Sequence, residues 1–306
     1  SFGLEVFATG RETATNPANT DVLVHHGATD APTVDIVETG VGAGTIVNNL
    51  GYTDFQGYLE IPTDNYIVEV RDETGAITVA AYEAPLAALS LDGAAGVVVA
   101  SGFLDPSQNS NGPAFGLYVA LPTGGALVAL PSVPLTSRVQ VIHNSADLAA
   151  EFVDVYLNDA LLIPNFEFRT ASPFIDAPAG EEIELSVAPP NSSGVEDAIY
   201  TAPVTLAEGE TYVVVADGIV SGSGYNPPQD FGLQIYPLGR EAASDPANTD
   251  VLVHHGSTDA PAVDVFLDGS TTPAVNMLAF GEIAGYVNVP EGPHTVTVAA
   301  DADNSV

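Results

Sequence analysis

Short runs rich in Val, Ile and Tyr alternate along the chain with turn residues, a pattern that predicts β-strands. In the segments 66–71 and 182–187, apolar residues occupy every second position, as in strands with one buried and one solvated face. Helical periodicity is scarce, and only 85–91 is ambiguous. Between residues 20 and 126 we predict strands at 22–26, 34–37, 45–48, 57–61, 66–70, 77–82, 97–101 and 115–121.

The same pattern repeats on the scale of whole domains. The segment 20–36, TDVLVHHGATDAPTVDI, returns at 249–265 as TDVLVHHGSTDAPAVDV, and a more distant copy occupies 138–156. The copies align His26 with His143 and His255, more than 100 residues apart. Repeats of this length are full domains, larger than solenoid repeats. The domain order is therefore A, B, A.

Eight short strands per repeat, with no helix to support a parallel sheet, predict an all-β fold of tandem immunoglobulin-like β-sandwich domains. We predict an A-type domain at 20–126, a B-type domain at 137–241 and an incomplete second A-type domain at 249–306. Residues 1–19 match the closing strand of a preceding B-type domain plus a linker, because 10–21 parallels 239–250.

The ends and joints of the domains also repeat. The similar segments 2–7, 115–119 and 231–236 are predicted closing strands, and the proline-bearing segments 122–136 and 239–248 are predicted semi-rigid linkers. Both chain ends fall inside a domain. Either the sequence is a window on a longer array, or neighbouring chains complete each other's domains by strand exchange. We favour the window, because one donated strand would not replace the counterpart of 78–101.

The charge balance narrows the choice of partners. The chain has 5 Arg, no Lys and 40 Asp plus Glu, for a formal net charge of −35, and 46% of its residues are hydrophobic. This combination indicates a folded acidic protein from a saline habitat or one that binds divalent cations. No basic stripe is present to neutralise phosphates or lipid headgroups, so we expect neither nucleic acid binding nor membrane insertion.

The aligned histidines are the strongest candidates for a metal-binding or catalytic site. Each of them precedes an Asp, and a His beside a carboxylate can bind metal or act as a base. Alternate residues of a strand share one face, so His26 lies on the same face as Val22 and Val24. Because that face packs against the core, a structural role is favoured. We therefore predict that the aligned histidines are structural: His26, His143 and His255. His25 and His254 lie on the opposite face, where an exposed side chain or an interface contact is expected.

Repeated aspartates are weak candidates for calcium, a cation that prefers several oxygen ligands. The calcium candidates are Asp30, Asp35, Asp259 and Asp264. Solvated acids are the alternative, because no Asp-x-Asp-x-Asp-Gly loop occurs. The chain also lacks Cys, a Gly-x-Ser-x-Gly elbow, a phosphate loop and a His-Glu-x-x-His motif. We predict no catalytic residues, no enzyme activity and no cofactor other than calcium.

The segments 22–36 and 263–269 resemble the bacterial and archaeal family DUF4397, whose members typically read V-R-V-x-H-A-S-P-D-A-P-A-V-D-V-Y-V-D-G. The B-type domain departs from this pattern, because DLAAEFVD at 147–154 replaces the compact D-A-P-x-V-D. The resemblance implies exported, surface-associated β-sandwich modules, often in tandem. It implies no established catalytic activity.

Together these observations predict an extracellular or cell-surface structural repeat protein that forms a rod or filament for attachment or matrix building. Its expected partners are copies of itself, end to end or by strand exchange, and also glycans or other surface proteins. The alternative is a ligand-binding surface adhesin that recognises glycan or depends on calcium.

Overall fold

The computed structural model describes residues 3–301. The contacts between residues divide the chain into two compact units, Ser1–Leu135 and Thr136–Val306. Both are built of β-strands, which confirms the predicted all-β class, and the described helices are short 3-10 turns. No helix among the described residues is long and apolar enough to cross a membrane.

The first unit contains one β-sandwich, the first A-type domain. Its strands are β1 (Asn19–His26), β2 (Val34–Glu38), β3 (Gly44–Leu50), β4 (Phe55–Pro62), β5 (Asn65–Asp72), β6 (Thr78–Pro85), β7 (Ala95–Ser101), β8 (Gly116–Ala120), β9 (Val128–Ala129) and β10 (Ser132–Val133). One sheet has the order β4-β1-β7-β8-β9, and the other has the order β10-β6-β5-β2-β3. The eight predicted strands correspond to β1 through β8.

The second unit contains the B-type domain and the described part of the second A-type domain. The B-type strands are β11 (Thr136–His143), β12 (Phe152–Leu157), β13 (Ala160–Glu167), β14 (Thr170–Ala171), β15 (Ile175–Pro178), β16 (Glu182–Ala188), β17 (Tyr200–Thr205), β18 (Thr211–Asp217) and β19 (Gly232–Tyr236). The strands of the second A-type domain are β20 (Asn248–His254), β21 (Val263–Leu267), β22 (Val275–Leu278), β23 (Ile283–Pro290) and β24 (Val296–Ala300).

The two domain types share one topology. The B-type domain has the sheets β14-β11-β18-β19, with β15 also on β11, and β13-β12-β16-β17. Its first strand β11 pairs in parallel with β18, as β1 pairs in parallel with β7. The other pairs of named strands are antiparallel. In the second A-type domain the sheets are β20-β23 and β22-β21-β24.

Strand alternation places the core between the sheets. In β5, Tyr66, Val68 and Val70 are buried and belong to one apolar cluster with Val22 and Val119. This is the outcome that the period-two sequence pattern predicts.

A cavity of about 160 Å³ lies in this core, with an almost entirely apolar lining that includes Leu50. The corresponding cavity of the B-type domain measures only about 20 Å³ and is lined by Phe166. Phe166 occupies the place of Leu50, at the end of the strand that pairs with β12 or β2. The larger aromatic ring accounts for part of the difference in volume.

One prediction about the joints stays a prediction, and another is wrong. Residues 3–7 are not in a regular strand, but the closing strand predicted at 2–7 was assigned to a preceding B-type domain; residue 2 lies outside the described residues. The predicted linker at 122–136 is part of the first sandwich, since β9 pairs with β8, β10 pairs with β6, and Leu130 is buried. The ambiguous stretch at 85–91 forms turns.

We expect Leu50→Phe to stabilise the first A-type domain by about 1 kcal/mol, because the added ring atoms would fill part of an existing apolar void. Thermal unfolding of the variant and the wild type measures this change. Leu127→Phe, at a residue that is 46% exposed, is the matched control and should leave the midpoint unchanged. A lower midpoint for Leu50→Phe would show that the cavity is too narrow for an aromatic ring.

Candidate functional site

The three aligned histidines lie buried at the end of the first strand of each domain. Their Nε2 atoms lie 3.0 Å from Pro32 O for His26, 2.7 Å from Ala150 O for His143 and 3.0 Å from Pro261 O for His255. A carbonyl is an acceptor only, so in each case Nε2 carries the hydrogen. Each ring therefore ties the strand end to the loop that leads into the second strand.

The ring of His143 is buried beside the rings of Phe166 and Phe168, with centroids 5.8 and 6.1 Å away. Burial lowers the pKa of His143 below its ordinary value of 6.5, and the hydrogen bond to Ala150 only partly opposes this effect. Its Nδ1 accepts a long hydrogen bond of 3.4 Å from the amide of Ser145. The ring is thus held neutral, with both nitrogens in contact with the backbone.

The aspartates that follow the histidines tie a second loop to the same end of the sandwich. Asp30 accepts hydrogen bonds from the amides of Leu104 and Asp105 at 3.0 and 3.1 Å. Asp147, in the B-type domain, is buried and accepts from the Ser221 amide at 2.6 Å and the Tyr225 hydroxyl at 2.9 Å.

The aspartate of the repeated Val-Asp-Val or Val-Asp-Ile segment holds a β-bulge in every domain. The carboxylates of Asp35, Asp154 and Asp264 accept the amide hydrogens of Asn49, Asn165 and Met277 at 2.7, 2.7 and 2.9 Å. Those three donors have φ values of 53°, 49° and 54°, and the strand register shifts beside each aspartate. A side chain is needed because the bulge removes one residue from the ladder and leaves its amide unpaired.

All four calcium candidates accept hydrogen bonds from the protein itself. Asp30, Asp35 and Asp264 each accept backbone amides, and Asp259 accepts a hydrogen bond from Ser257 Oγ at 3.2 Å. Between residues 3 and 301, no group of three or more His, Cys, Asp or Glu is placed to hold a metal ion. Calcium binding stays a prediction without geometric support.

The histidine that precedes the buried His255, His254, forms a contact between the B-type domain and the second A-type domain. Its Nε2 lies 2.8 Å from Oδ2 of Asp217, at the end of β18, and its Nδ1 lies 3.0 Å from Glu282 O. The side chains of His254 and Asp217 are only 13% and 1% exposed. Both ring nitrogens of His254 therefore lie within hydrogen-bond distance of an oxygen, one from each of the two consecutive domains.

Arg240 secures the chain between these two domains. Its guanidinium lies over the ring of Tyr286 at 4.7 Å, and its amide donates to the Tyr286 hydroxyl at 2.9 Å. Its Nη1 lies 2.5 Å from the carboxylate of Asp250, which is almost fully buried. Hydrogen bonds from the Asn288 side chain, the Ser244 amide and Arg240 hold the pKa of Asp250 far below its usual range.

The first A-type domain carries the same arrangement. Arg11 lies over Tyr58 at 4.6 Å, its amide donates to the Tyr58 hydroxyl at 2.7 Å, and its Nη1 lies 2.6 Å from Asp21. Phe7 packs on Tyr58 with ring centroids 6.0 Å apart, as Tyr236 packs on Tyr286 at 5.9 Å. The segment that enters each of the two A-type domains is therefore held by the same set of contacts.

We call the surface that receives this segment the joint face, formed by His25, Phe55 and Tyr58 in the first A-type domain and by His254, Ile283 and Tyr286 in the second. Sequence reasoning placed His25 and His254 at a possible interface but missed the Arg and Tyr residues. The available signal was the repetition of Gly-Arg-Glu at 10–12 and 239–241 and of Gly-Tyr at 57–58 and 285–286.

Comparison with known proteins agrees with the resemblance found in the sequence. The sequence model of the family described as Domain of unknown function (DUF4397) matches residues 20–105, 137–230 and 249–306. These three stretches cover well over half of the chain and coincide with the three repeats. No curated protein matches the chain.

We expect the B-type domain to lose stability as the pH falls below about 6.5, because the unfolded chain protonates His143 before the folded chain does. The loss for this one group is at most about 1.4 kcal/mol per pH unit. Hydrogen exchange of the β18 amides between pH 5 and 8 measures it. His143→Gln should remove this component, so equal pH slopes for variant and wild type would contradict the assignment.

We expect Asp154→Ala to destabilise the B-type domain by about 3 kcal/mol, because the carboxylate accepts from the Asn165 amide and from both the amide and hydroxyl of Ser192. Burial acts to raise the pKa of Asp154, but these hydrogen bonds hold it below the ordinary value. Denaturant unfolding measures the loss. Asp159→Ala, which removes an exposed carboxylate from the next turn, should change stability by less than about 0.5 kcal/mol.

Proposed function

The chain belongs to the DUF4397 family, and we propose that it is an extracellular, non-enzymatic structural protein whose tandem β-sandwich domains form a rod or surface filament. In this role the domains set the length, and the contacts between consecutive domains set the stiffness. Attachment or matrix building is the expected use of such a filament.

The observation that supports the proposal is the joint between the B-type domain and the second A-type domain. There the hydrogen bond between His254 and Asp217 and the contacts of Arg240 with Tyr286 and Asp250 link two consecutive domains. A flexible string of domains would not need such contacts at both the strand end and the entering segment. A stiff rod needs such contacts, because each joint between domains must resist bending.

The acidic surface fits the same role. With a formal net charge of −35, neighbouring rods repel one another at low ionic strength, and salt screens that repulsion at distances beyond the Debye length. Lateral association is therefore expected to increase with salt. The extracellular location is the one that the family resemblance implies.

Electron microscopy of the native material, purified in high salt, tests the proposal. Long uniform filaments with an axial repeat near one A-B pair would support it, whereas discrete short rods would favour the ligand-binding adhesin. Tyr286→Ala, which removes the ring under Arg240, should increase the bending between consecutive domains without unfolding either. Tyr52→Ala is the matched control, because Tyr52 is 48% exposed and lies outside the joint face.

A further inference from the structure

The cavity between the two sheets of the first A-type domain is large enough for a small organic molecule. Its volume of about 160 Å³ is close to that of an apolar cavity of roughly 150 Å³ that takes up benzene or xenon. Side chains from both sheets surround it and are almost all apolar, among them Val24, Leu50 and Leu117. The corresponding cavity of the B-type domain, at about 20 Å³, is too small for such a molecule.

One polar atom of a residue that lines this cavity has no partner. His26 lines the cavity and is only 1% exposed, and its Nε2 donates to Pro32 O. In this tautomer Nδ1 carries a lone pair and can only accept a hydrogen bond. Among residues 3–301 no group donates to this buried atom. A buried acceptor without a donor is unfavourable, and a ligand that donates to it would recover the lost free energy.

The unpartnered acceptor is a feature of the A-type domains. The Nδ1 of His255, at the same position of the second A-type domain, is also buried with no partner in the described part of the chain. In the B-type domain the Nδ1 of His143 accepts from the Ser145 amide at 3.4 Å, and the ring of Phe166 lies 5.8 Å away. The B-type domain therefore lacks both the free acceptor and the space that the first A-type domain has.

The combination of a large apolar space and one acceptor selects the chemistry of the ligand. A buried water molecule typically makes about three hydrogen bonds, which an almost entirely apolar lining cannot supply. A purely apolar molecule would fill the space and leave Nδ1 of His26 unpaired. A molecule with an apolar body and one hydroxyl group satisfies both requirements, because the body fills the space and the hydroxyl donates to Nδ1.

We propose that the core of the first A-type domain is a binding site for a small apolar molecule that carries one hydroxyl group, such as a phenol. The body of the ligand lies between the sheets beside Leu50, and its hydroxyl donates a hydrogen bond to Nδ1 of His26. Leu104 also lines the cavity and is 40% exposed, so displacement of this side chain would open a route from solvent. The site does not depend on the proposed assembly into filaments.

Titration of the full chain with phenol and with benzene, followed by calorimetry and by nitrogen NMR of the histidine rings, tests the proposal. We expect both ligands to bind, and only phenol to shift the Nδ1 resonance of His26 in the direction of a hydrogen-bonded nitrogen. The Nδ1 resonance of His143 is the internal control and should not move. If neither ligand binds, or if phenol binds without moving the His26 resonance, the proposal is wrong.

Two variants locate the ligand and test its hydrogen bond. Leu50→Phe fills the space and should abolish the binding of both ligands, whereas Leu127→Phe, at an exposed position, is the matched control and should bind them as the wild type does. Phenol binding by Leu50→Phe at the wild-type affinity would place the ligand outside the cavity and contradict the proposal.

His26→Gln keeps an amide donor for Pro32 O but has no acceptor at the place of Nδ1. We expect this variant to bind phenol roughly tenfold more weakly and benzene within about twofold of the wild type. Retained benzene binding shows that the variant is folded. Equal affinity changes for the two ligands would exclude the hydrogen bond to His26.

Discussion

The parallel pairing between the first strand of a domain and a strand much later in the chain is the constraint on which the rest of the structure depends. It joins β1 to β7 and β11 to β18, so each sandwich closes only when both halves of the sequence are in place. In the B-type domain it sets His143 beside Ala216 and leaves Asp217 at the same end. The structural histidine and the carboxylate that reaches the next domain are thus positioned by one register.

The few positive charges of the chain are concentrated where segments must be fixed. Arg11 and Arg240 bind the buried carboxylates of Asp21 and Asp250. Arg138, in β11, pairs with Glu241 in the segment that follows the B-type domain. In a chain with 40 acidic residues, carboxylates are plentiful and cations are scarce. Three of the five Arg lie in, or pair with, a segment that enters or leaves a domain. These scarce cations therefore serve to fix the position of those segments.

Much of the fold was predictable from the sequence, because apolar and polar residues alternate along a strand that is half buried. All eight strands predicted for the first A-type domain correspond to observed strands, and the buried positions of β5 are the predicted ones. The short strands β9 and β10 were missed, because two residues carry no periodicity and the prolines and glycines that flank these strands are typical of a linker. Residues 3–7 have the pattern of a strand but are not in a strand in the described part of the chain, because the pattern marks an apolar face and does not identify the strand that pairs with it.

The candidate site was predictable only in part. The repeated aspartates were recognised, but their function at the bulge depends on an amide 11 to 14 residues further on, which no local pattern reveals. For His25 and His254, strand parity gave the correct face, and the identity of Asp217 as a partner required the three-dimensional arrangement. Sequence identifies residues that recur, whereas the structure identifies what each one binds.

The joint also bears on which domain type can follow a B-type domain. The B-type domain has Arg138 at the position of Asp21 and Ile142 at the position of His25. A segment that enters with an Arg would meet a second Arg there in place of a carboxylate, and like charges in contact are unfavourable. Ile142 also offers no polar atom to an incoming Asp. The contacts of the joint face thus fit an A-type domain after a B-type domain and would not form with a second B-type domain in that place.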